Sequence, residues 1–269
     1  MALTSYQSGI LRLLAANRKE NAGSYVAGGL ALNHRFGTPR FSRDIDIFHD
    51  STEALLKSWC ADRELLMALG YTVRPLREWD SFVEAWVCKD GERTEIQWGV
   101  DSAYRFFPLI EDDTVGYTLH PVDLAANKLC ALVGCSEPRD WIDVLTAMKE
   151  LQPMAYLLSA ACGKDPGFSP TSMLEFVARR RYNQVEIDEK ITPKGVYDAA
   201  ELSRFWHAEI ERAREMVRML PRDKAGMCLL DKAGNPYKGG KNDFASDLAL
   251  GAIVFHEGRI RGAWPRIIG

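Results

Sequence analysis

Hydrophobic and polar residues follow two different periodicities in the first 120 residues of the chain. Residues 4–20 and 52–69 carry apolar side chains at helical spacing. The stretch 44–48 alternates with period two, so Ile45 and Ile47 share one face of a predicted strand and the aspartates between them share the other. Helices mixed with strands predict a mixed α/β domain in this part of the chain.

A second helix is indicated directly after a short apolar run. Tyr25–Ala27 is strand-like and is stopped by Gly28 and Gly29, and Leu30–Phe36 is compatible with a helix. Gly37 is expected to end that helix, because glycine adopts the left-handed backbone conformation common just after a helix.

A hairpin is predicted between residues 81 and 98. Two strand-like runs, 81–88 and 93–98, flank an Asp-Gly pair at positions 90 and 91, which favours a tight turn. In the second run Glu95 lies on the polar face, opposite Ile96 and its neighbours.

From about residue 121 the pattern becomes helical. Helices are predicted at 121–133, 139–151, 171–182 and 198–220, and a strand at 248–255. We therefore expect an α/β domain at 1–120 and a mainly helical lobe at 121–269. The turn-rich segment Gly163–Pro170 is also a candidate boundary between lobes.

Composition restricts the class of protein more than its function. The 269 residues are 46% hydrophobic and 26% charged, which is ordinary globular composition. No apolar run approaches eighteen residues and the start does not resemble a signal peptide, so we expect a cytoplasmic protein without a membrane partner. The six cysteines form no C-x-x-C pair, which argues against a disulfide framework or a zinc site. A net charge of −3 neither requires nor excludes nucleic acid.

The most informative chemistry lies in Gly28-Gly29 and in Asp44-Ile45-Asp46. Two carboxylates two residues apart on a strand project the same way, and Mg²⁺ is commonly held by one or two carboxylates together with substrate phosphates. Glycines before a helix let the backbone and the helix N-terminus approach a triphosphate. The alternative is that Asp44 and Asp46 only form the solvated face of a strand.

With these residues the sequence resembles the nucleotidyltransferase superfamily, and specifically the AbiEii/AbiGii-like toxin family. The resemblance covers about residues 25–150. It consists of Gly28-Gly29-x-Ala31-Leu32, Arg40-x-Ser42-x-Asp44-x-Asp46, Lys128 on a helix, and Arg139-Asp140-x-x-Asp143. It implies a nucleotidyltransferase-like mixed sheet with flanking helices and a mainly helical C-terminal lobe.

The resemblance also implies roles for single residues. Asp44 and Asp46 would hold Mg²⁺ or Mn²⁺, Gly28 and Gly29 would contact the phosphates of a nucleoside triphosphate (NTP), and Ser42 would lie beside both. Lys128 would neutralise phosphate charge and Asp143 would complete the site. One departure is Leu30, which stands where the family often has Ser or Thr.

Four of these residues have alternative interpretations. Glu95 is correctly phased for a third carboxylate, but it could equally be a base, a looser metal ligand or an exposed side chain. Lys128 could be a surface lysine, although its helix is largely apolar. Asp140 could serve only to start its helix, which leaves Asp143 as the better catalytic candidate. For Arg40 a phosphate contact and a plain loop charge are equally compatible with the sequence.

Two basic segments lie outside the resemblance. Arg179-Arg180-Arg181 could contact an RNA backbone. Gly234–Lys241 lacks the P-loop pattern and is interpreted as a flexible basic loop.

The expected reaction is transfer of a nucleoside monophosphate (NMP) from an NTP to an acceptor hydroxyl, with release of pyrophosphate. The resemblance implies a toxin that adds nucleotides to the 3′ end of tRNA and is restrained by a separately encoded antitoxin. Two alternatives remain: an antibiotic-type enzyme with a small-molecule acceptor, and a non-catalytic module that binds nucleotide or RNA.

Overall fold

The structure is a computed structural model that describes residues 3–20 and 23–266 of the chain. The described residues form two compact units. The first runs to Ala103 and includes Pro108–His120, and the second comprises Tyr104–Phe107 and the chain from Pro121 onward.

The bounds of the elements follow in chain order. The helices are Ser5–Glu20 (α1), Gly28–Phe36 (α2), Thr52–Ala68 (α3), Pro121–Cys135 (α4), Pro138–Glu150 (α5), Met154–Lys164 (α6), Pro170–Val177 (α7), Gln184–Lys190 (α8), Ala199–Met219 (α9) and Lys241–Ala249 (α10), with a 3₁₀ turn at Arg222–Lys224. The strands are Ser24–Val26 (β1), Asp44–His49 (β2), Thr72–Trp79 (β3), Phe82–Lys89 (β4), Glu92–Val100 (β5), Tyr104–Arg105 (β6), Ile110–Asp112 (β7), Gly116–Thr118 (β8), Cys228–Leu230 (β9), Val254–His256 (β10) and Arg259–Ile260 (β11).

The first unit is built on a mixed sheet. Among the described residues its strand order is β3-β4-β5-β2-β1-β8-β7. The pairs β2–β5 and β1–β8 are parallel, and the other neighbours are antiparallel. The predicted α/β class is therefore confirmed.

The two faces of this sheet differ, as the alternation on β2 predicts. Ile45 and Ile47 are fully buried, and Asp44 and Asp46 on the opposite face are half-buried. Helices α1 and α3 pack on the isoleucine face, where Trp59 of α3 contacts Trp98 edge to face with 4.8 Å between ring centroids. Burial of apolar side chains at about 1.5–3 kcal/mol each holds the sheet against these helices.

The predicted hairpin is confirmed as β4–β5. Asp90 and Gly91 both have positive φ, 52° and 83°, as the two central residues of a type I′ turn require. Strand β3 was not predicted. It is an edge strand whose residues are mostly exposed and contain Pro75, so it shows no hydrophobic alternation, and it is held by its pairing with β4.

The second unit is mainly helical. Helix α6 is buried over Met154–Cys162 and contacts α4, α7, α9 and β9. The segment Gly163–Pro170 joins α6 to α7 inside this unit, so it does not separate the two units.

In the C-terminal third one prediction was wrong and two helices were missed. Most of the strand predicted at 248–255 is the end of α10 and a turn, and only Val254–His256 pairs as a strand. Helix α8, with its Asn183 cap, and helix α10 were missed because both are short and polar. Within the described ranges no helix is long and apolar enough to cross a membrane.

Candidate active site

Carboxylates from two neighbouring strands share the face of the sheet opposite α1 and α3. In the parallel pairing of β2 with β5, Asp44 lies beside Glu95 and Asp46 lies beside Gln97. Registered neighbours in a sheet project to the same side. The sheet thus places Asp44, Asp46 and Glu95 on one surface.

Gly28, the first residue of α2, lies against the carboxylate of Asp46. Its φ is +67°, and a Cβ on it would stand 2.1 Å from Asp46 Oδ2. Only glycine meets both conditions, because a side chain would be strained by the backbone conformation and would overlap the carboxylate. Gly29 follows it and is buried. The Asp46 carboxylate therefore lies at the positive N-terminal end of a helix.

Leu30, the departure from the family pattern, is a core residue. It is fully buried, and its neighbours Ala31 and Leu32 are buried as well. Its side chain contributes to packing and offers no hydroxyl to a phosphate.

Ser42 is buried and fixes the start of β2. Its Oγ donates to Asp44 Oδ1 at 3.4 Å, and its carbonyl oxygen accepts from Gln7 Nε2 at 3.0 Å. Gln7 of α1 also donates to Thr94 Oγ1 on β5 at 3.3 Å. Gln7 thus ties the strand carrying Asp44 to the strand carrying Glu95. Sequence reasoning missed it because its partners lie 35 and 87 residues away.

Arg40 is not the solvated loop charge that was one of its two interpretations. It lies in the segment between α2 and β2, and only 2% of the residue is exposed. Thr38 and Ser42 on either side of it are buried as well.

A fourth carboxylate, Glu84 of β4, contacts Glu95. Burial raises the pKa of Glu95, and the hydrogen bond and charge of Glu84 raise it further, as does the charge of Asp44. The hydrogen bond that Gln97 Nε2 donates to Glu95 Oε1 at 2.7 Å acts in the opposite direction. Arg77 Nε of β3 lies 3.3 Å from Glu84 Oε2. Sequence reasoning missed Glu84, although its register opposite Gln97 puts it on the same face.

These residues offer a metal ion two strand carboxylates rather than a complete cage. Among the described residues no group of three or more His, Cys, Asp or Glu side chains is arranged to hold a metal by itself. Carboxylate oxygens on one surface suit Mg²⁺, which commonly keeps waters and takes its remaining ligands from substrate phosphates.

In the second unit, Lys128 of α4 joins two aspartates of α5. Its Nζ lies 2.8 Å from Asp140 Oδ1 and 3.3 Å from Asp143 Oδ2. The side chains of Lys128, Asp140 and Asp143 are 14%, 13% and 0% exposed. Lys128 is therefore not an ordinary surface lysine, and Asp140 does more than start its helix. Asp143 is buried and acts on Lys128, since a buried carboxylate needs a compensating partner.

The arginine triplet does not lie on a helix, contrary to the prediction of a helix over 171–182. Helix α7 ends at Val177, and the triplet follows it. Arg180 Nη2 donates to the carbonyl oxygen of Val133 near the end of α4 at 2.7 Å, so Arg180 supports the fold. Arg179 and Arg181 are exposed.

Comparison with known proteins identifies the fold. No family model matches the sequence, and no curated protein matches it. Two solved structures superpose on most of the chain, each with a TM-score of 0.54 and 16% identity. One is JHP933 from Helicobacter pylori, with 81% of this chain and 95% of that chain covered. The other is MenT4, a nucleotidyltransferase toxin from Mycobacterium tuberculosis H37Rv, with 81% and 83% covered.

The chain has the nucleotidyltransferase fold. This agrees with the fold implied by the sequence resemblance. In the first unit Gly28 of α2 contacts Asp46 of β2, and in the second unit Lys128 contacts Asp140 and Asp143.

Proposed function

We propose that the protein is a metal-dependent nucleotidyltransferase that moves an NMP from an NTP to an acceptor hydroxyl and releases pyrophosphate. The observation that carries this proposal is the contact of Gly28 with Asp46 beside Asp44, on a chain with the nucleotidyltransferase fold.

In this proposal Asp44 and Asp46 hold the metal and Gly28 and Gly29 lie at the phosphates. Mg²⁺ or Mn²⁺, when bound, would offset the negative charge that builds up around the α-phosphate during transfer. Neither glycine has a side chain to block phosphate oxygens at the N-terminus of α2, and a metal on Asp46 would lie between the carboxylate and the phosphates. Ser42 holds Asp44 in position, and Arg40 is a further candidate for a phosphate contact.

Glu95 is the proposed third carboxylate. It lies next to Asp44, where it would act as a further metal ligand or accept the proton of the acceptor hydroxyl as the new ester bond forms. Glu84 and Gln97 contact it and would fix its orientation.

Lys128 is proposed to neutralise charge on the triphosphate, as the family resemblance implies. Asp140 and Asp143 would hold its ammonium group in place, and the low exposure of all three side chains fits a fixed charge better than a mobile one.

The acceptor is proposed to be RNA, at the 3′ end of tRNA, and the protein to be a toxin of the AbiEii/AbiGii-like family with a separate antitoxin. Support comes from the family resemblance and from the shared fold with MenT4, which is named as a nucleotidyltransferase toxin. Arg179 and Arg181 are exposed cations available for RNA phosphates.

The test is to incubate the purified protein with each labelled NTP, Mg²⁺ and total RNA, with and without EDTA. We expect one NTP to label a tRNA-sized band only when metal is present. Asp44→Ala and Asp46→Ala proteins serve as controls and should give no label. Labelling of small hydroxyl compounds such as aminoglycosides, with none of RNA, would overturn the RNA acceptor and keep the chemistry. Absence of transfer to any acceptor, with NTP binding retained, would favour the non-catalytic module.

A further inference from the structure

The second unit contains a cleft of about 750 Å³ that belongs to none of the residues assigned above. The end of α5, one side of α9 and the segment before α10 form its walls. Met148, Leu151 and Met216 give it a buried apolar floor. This volume is within the range of small-molecule sites, about 300–1,000 Å³.

One wall of the cleft is the basic segment interpreted from the sequence as a flexible loop. In the structure the carbonyl oxygen of Gly239 accepts a hydrogen bond from Tyr156 Oη at 2.8 Å. A Cβ on Gly239 would stand 2.0 Å from Tyr237 Oη, so the phenol packs directly on the glycine backbone. Tyr237 itself donates to Asp247 Oδ2 of α10 at 2.6 Å. The half of the segment that faces the cleft is therefore fixed by specific contacts.

Positive charge at the cleft is only partly compensated. Four cations line it: Lys149, Arg212, Lys238 and Lys241. Arg212 and Lys241 form ion pairs with Glu209 and Glu215 of α9, and a third carboxylate, Asp243 of α10, also lines the cleft. Within the described part of the chain, Lys149 and Lys238 have no carboxylate partner. Lys149 Nζ lies 4.9 Å from the ring centroid of Phe205, and Lys238 Nζ donates to the carbonyl oxygen of Glu150 at 2.9 Å.

Gln152 lines the cleft, is 1% exposed and has a side-chain acceptor that lacks a donor in the ranges that the structure describes. Its Nε2 donates to the carbonyl oxygens of Leu229 and Tyr237, at 3.4 and 3.5 Å. Its Oε1 has no hydrogen-bond partner among the described residues. A buried acceptor without a donor lowers stability, and a ligand N–H group would satisfy it once the amide turns toward the cleft.

We propose that this cleft binds a nucleotide unit. Lys149 and Lys238 would bind its phosphate, and the apolar floor would take the base. The oxygen of Gln152 would accept a hydrogen bond from an N–H group on the edge of the base. The nucleotide comes either from a free mononucleotide or from an RNA strand, and both present the same phosphate and base. This site is independent of the proposed transfer reaction.

Binding without turnover tests the proposal on the full chain. AMP, ribose 5-phosphate and a six-nucleotide single-stranded RNA are titrated in EDTA, so that metal-dependent NTP binding does not contribute. The cleft variant is Lys149→Ala/Lys238→Ala. Its matched control is Lys57→Ala/Lys194→Ala, which removes the same charge from two exposed lysines elsewhere. We expect the cleft variant to bind AMP or the RNA about tenfold more weakly, and the control variant to change less than about twofold.

A second measurement concerns the base. The parent protein should bind AMP more tightly than ribose 5-phosphate, and Gln152→Leu should remove most of that difference while phosphate binding remains. If RNA alone binds and the cleft variant weakens it, the nucleotide comes from RNA; if AMP binds as well, the site takes the free form. Equal binding by the cleft and control variants, or no binding of either probe to the parent, would overturn the proposal.

Discussion

Gly28 and the carboxylate of Asp46 lie so close together that no side chain fits at position 28. A Cβ there would lie 2.1 Å from Asp46 Oδ2 and 3.0 Å from its Cγ. Residue 28 begins a helix and residue 46 lies on a strand, so this contact fixes the end of α2 relative to the proposed metal carboxylates.

Gly28→Ala should therefore strongly reduce nucleotide transfer. Gly37→Ala is a matched control, because Gly37 ends the same helix with a φ of +64° and has nothing within 4 Å of an added Cβ. Both changes should cost about 1 kcal/mol of stability from backbone strain. Only Gly28→Ala should displace Asp46 and reduce kcat by at least about a hundredfold. Equal activities in the two variants would contradict the role of the contact.

Asp44→Asn and Asp46→Asn should each remove transfer and leave the fold intact. Both side chains are half-buried on the face of β2 that faces away from α1 and α3, and the strand is held by Ile45 and Ile47. Circular dichroism and thermal unfolding should match the parent within a few degrees. Asp113→Asn, at an exposed aspartate, should keep full activity. Near-normal transfer in both site variants would exclude them as metal ligands.

The features that could be predicted from the sequence depend on patterns among neighbouring residues. The alternation over Asp44-Ile45-Asp46 and the Asp-Gly turn each follow from neighbouring residues. Glu84 and Gln7 were missed because register and packing decide their contacts, over separations that no local pattern records. Arg180 illustrates the same limit, since its partner carbonyl lies 47 residues away at Val133.

Lys128 should affect both stability and substrate use, and a second substitution separates the two. Lys128→Met removes a cation that contacts the buried carboxylate of Asp143, which should lower the free energy of unfolding by about 3 kcal/mol. Lys128→Met/Asp143→Asn should recover much of that stability. If Lys128 also binds the triphosphate, kcat/KM for NTP should stay at least about tenfold below the parent in the double variant. Full recovery of kcat/KM would assign Lys128 a structural role only.

The three arginines at 179–181 should have two different roles, RNA binding for the outer two and fold stability for Arg180. Arg179→Ala/Arg181→Ala removes exposed cations, so RNA modification should weaken and its log–log salt dependence should fall by about one unit for each lost phosphate contact. Arg180→Ala should instead lower stability by about 1–2 kcal/mol, because the carbonyl of Val133 loses its donor. An unchanged salt slope in the first variant would place the RNA surface elsewhere.

His49 should make the protein less stable as the pH falls below 7. Its Nδ1 donates to the carbonyl oxygen of Gly99 at 3.1 Å, and its Nε2 accepts from Ser24 Oγ at 3.3 Å, so the folded protein holds the ring neutral. Burial lowers the pKa of His49 from 6.5 to about 4. The hydrogen bond to Gly99 raises this pKa, and the nearby charge of Arg18 lowers it further.

Because the folded pKa lies below the unfolded value, the unfolded chain binds the proton first, and stability is lost as the pH falls from about 6.5 toward 4. Between pH 7 and pH 5 this histidine should cost about 2 kcal/mol of unfolding free energy. Urea unfolding of the parent and of His49→Gln at both pH values isolates the effect, because all other titrating groups are shared. His207→Gln, at an exposed histidine, should keep the parent's pH dependence. If His49→Gln lost as much stability between the two pH values as the parent, His49 would not be the group responsible.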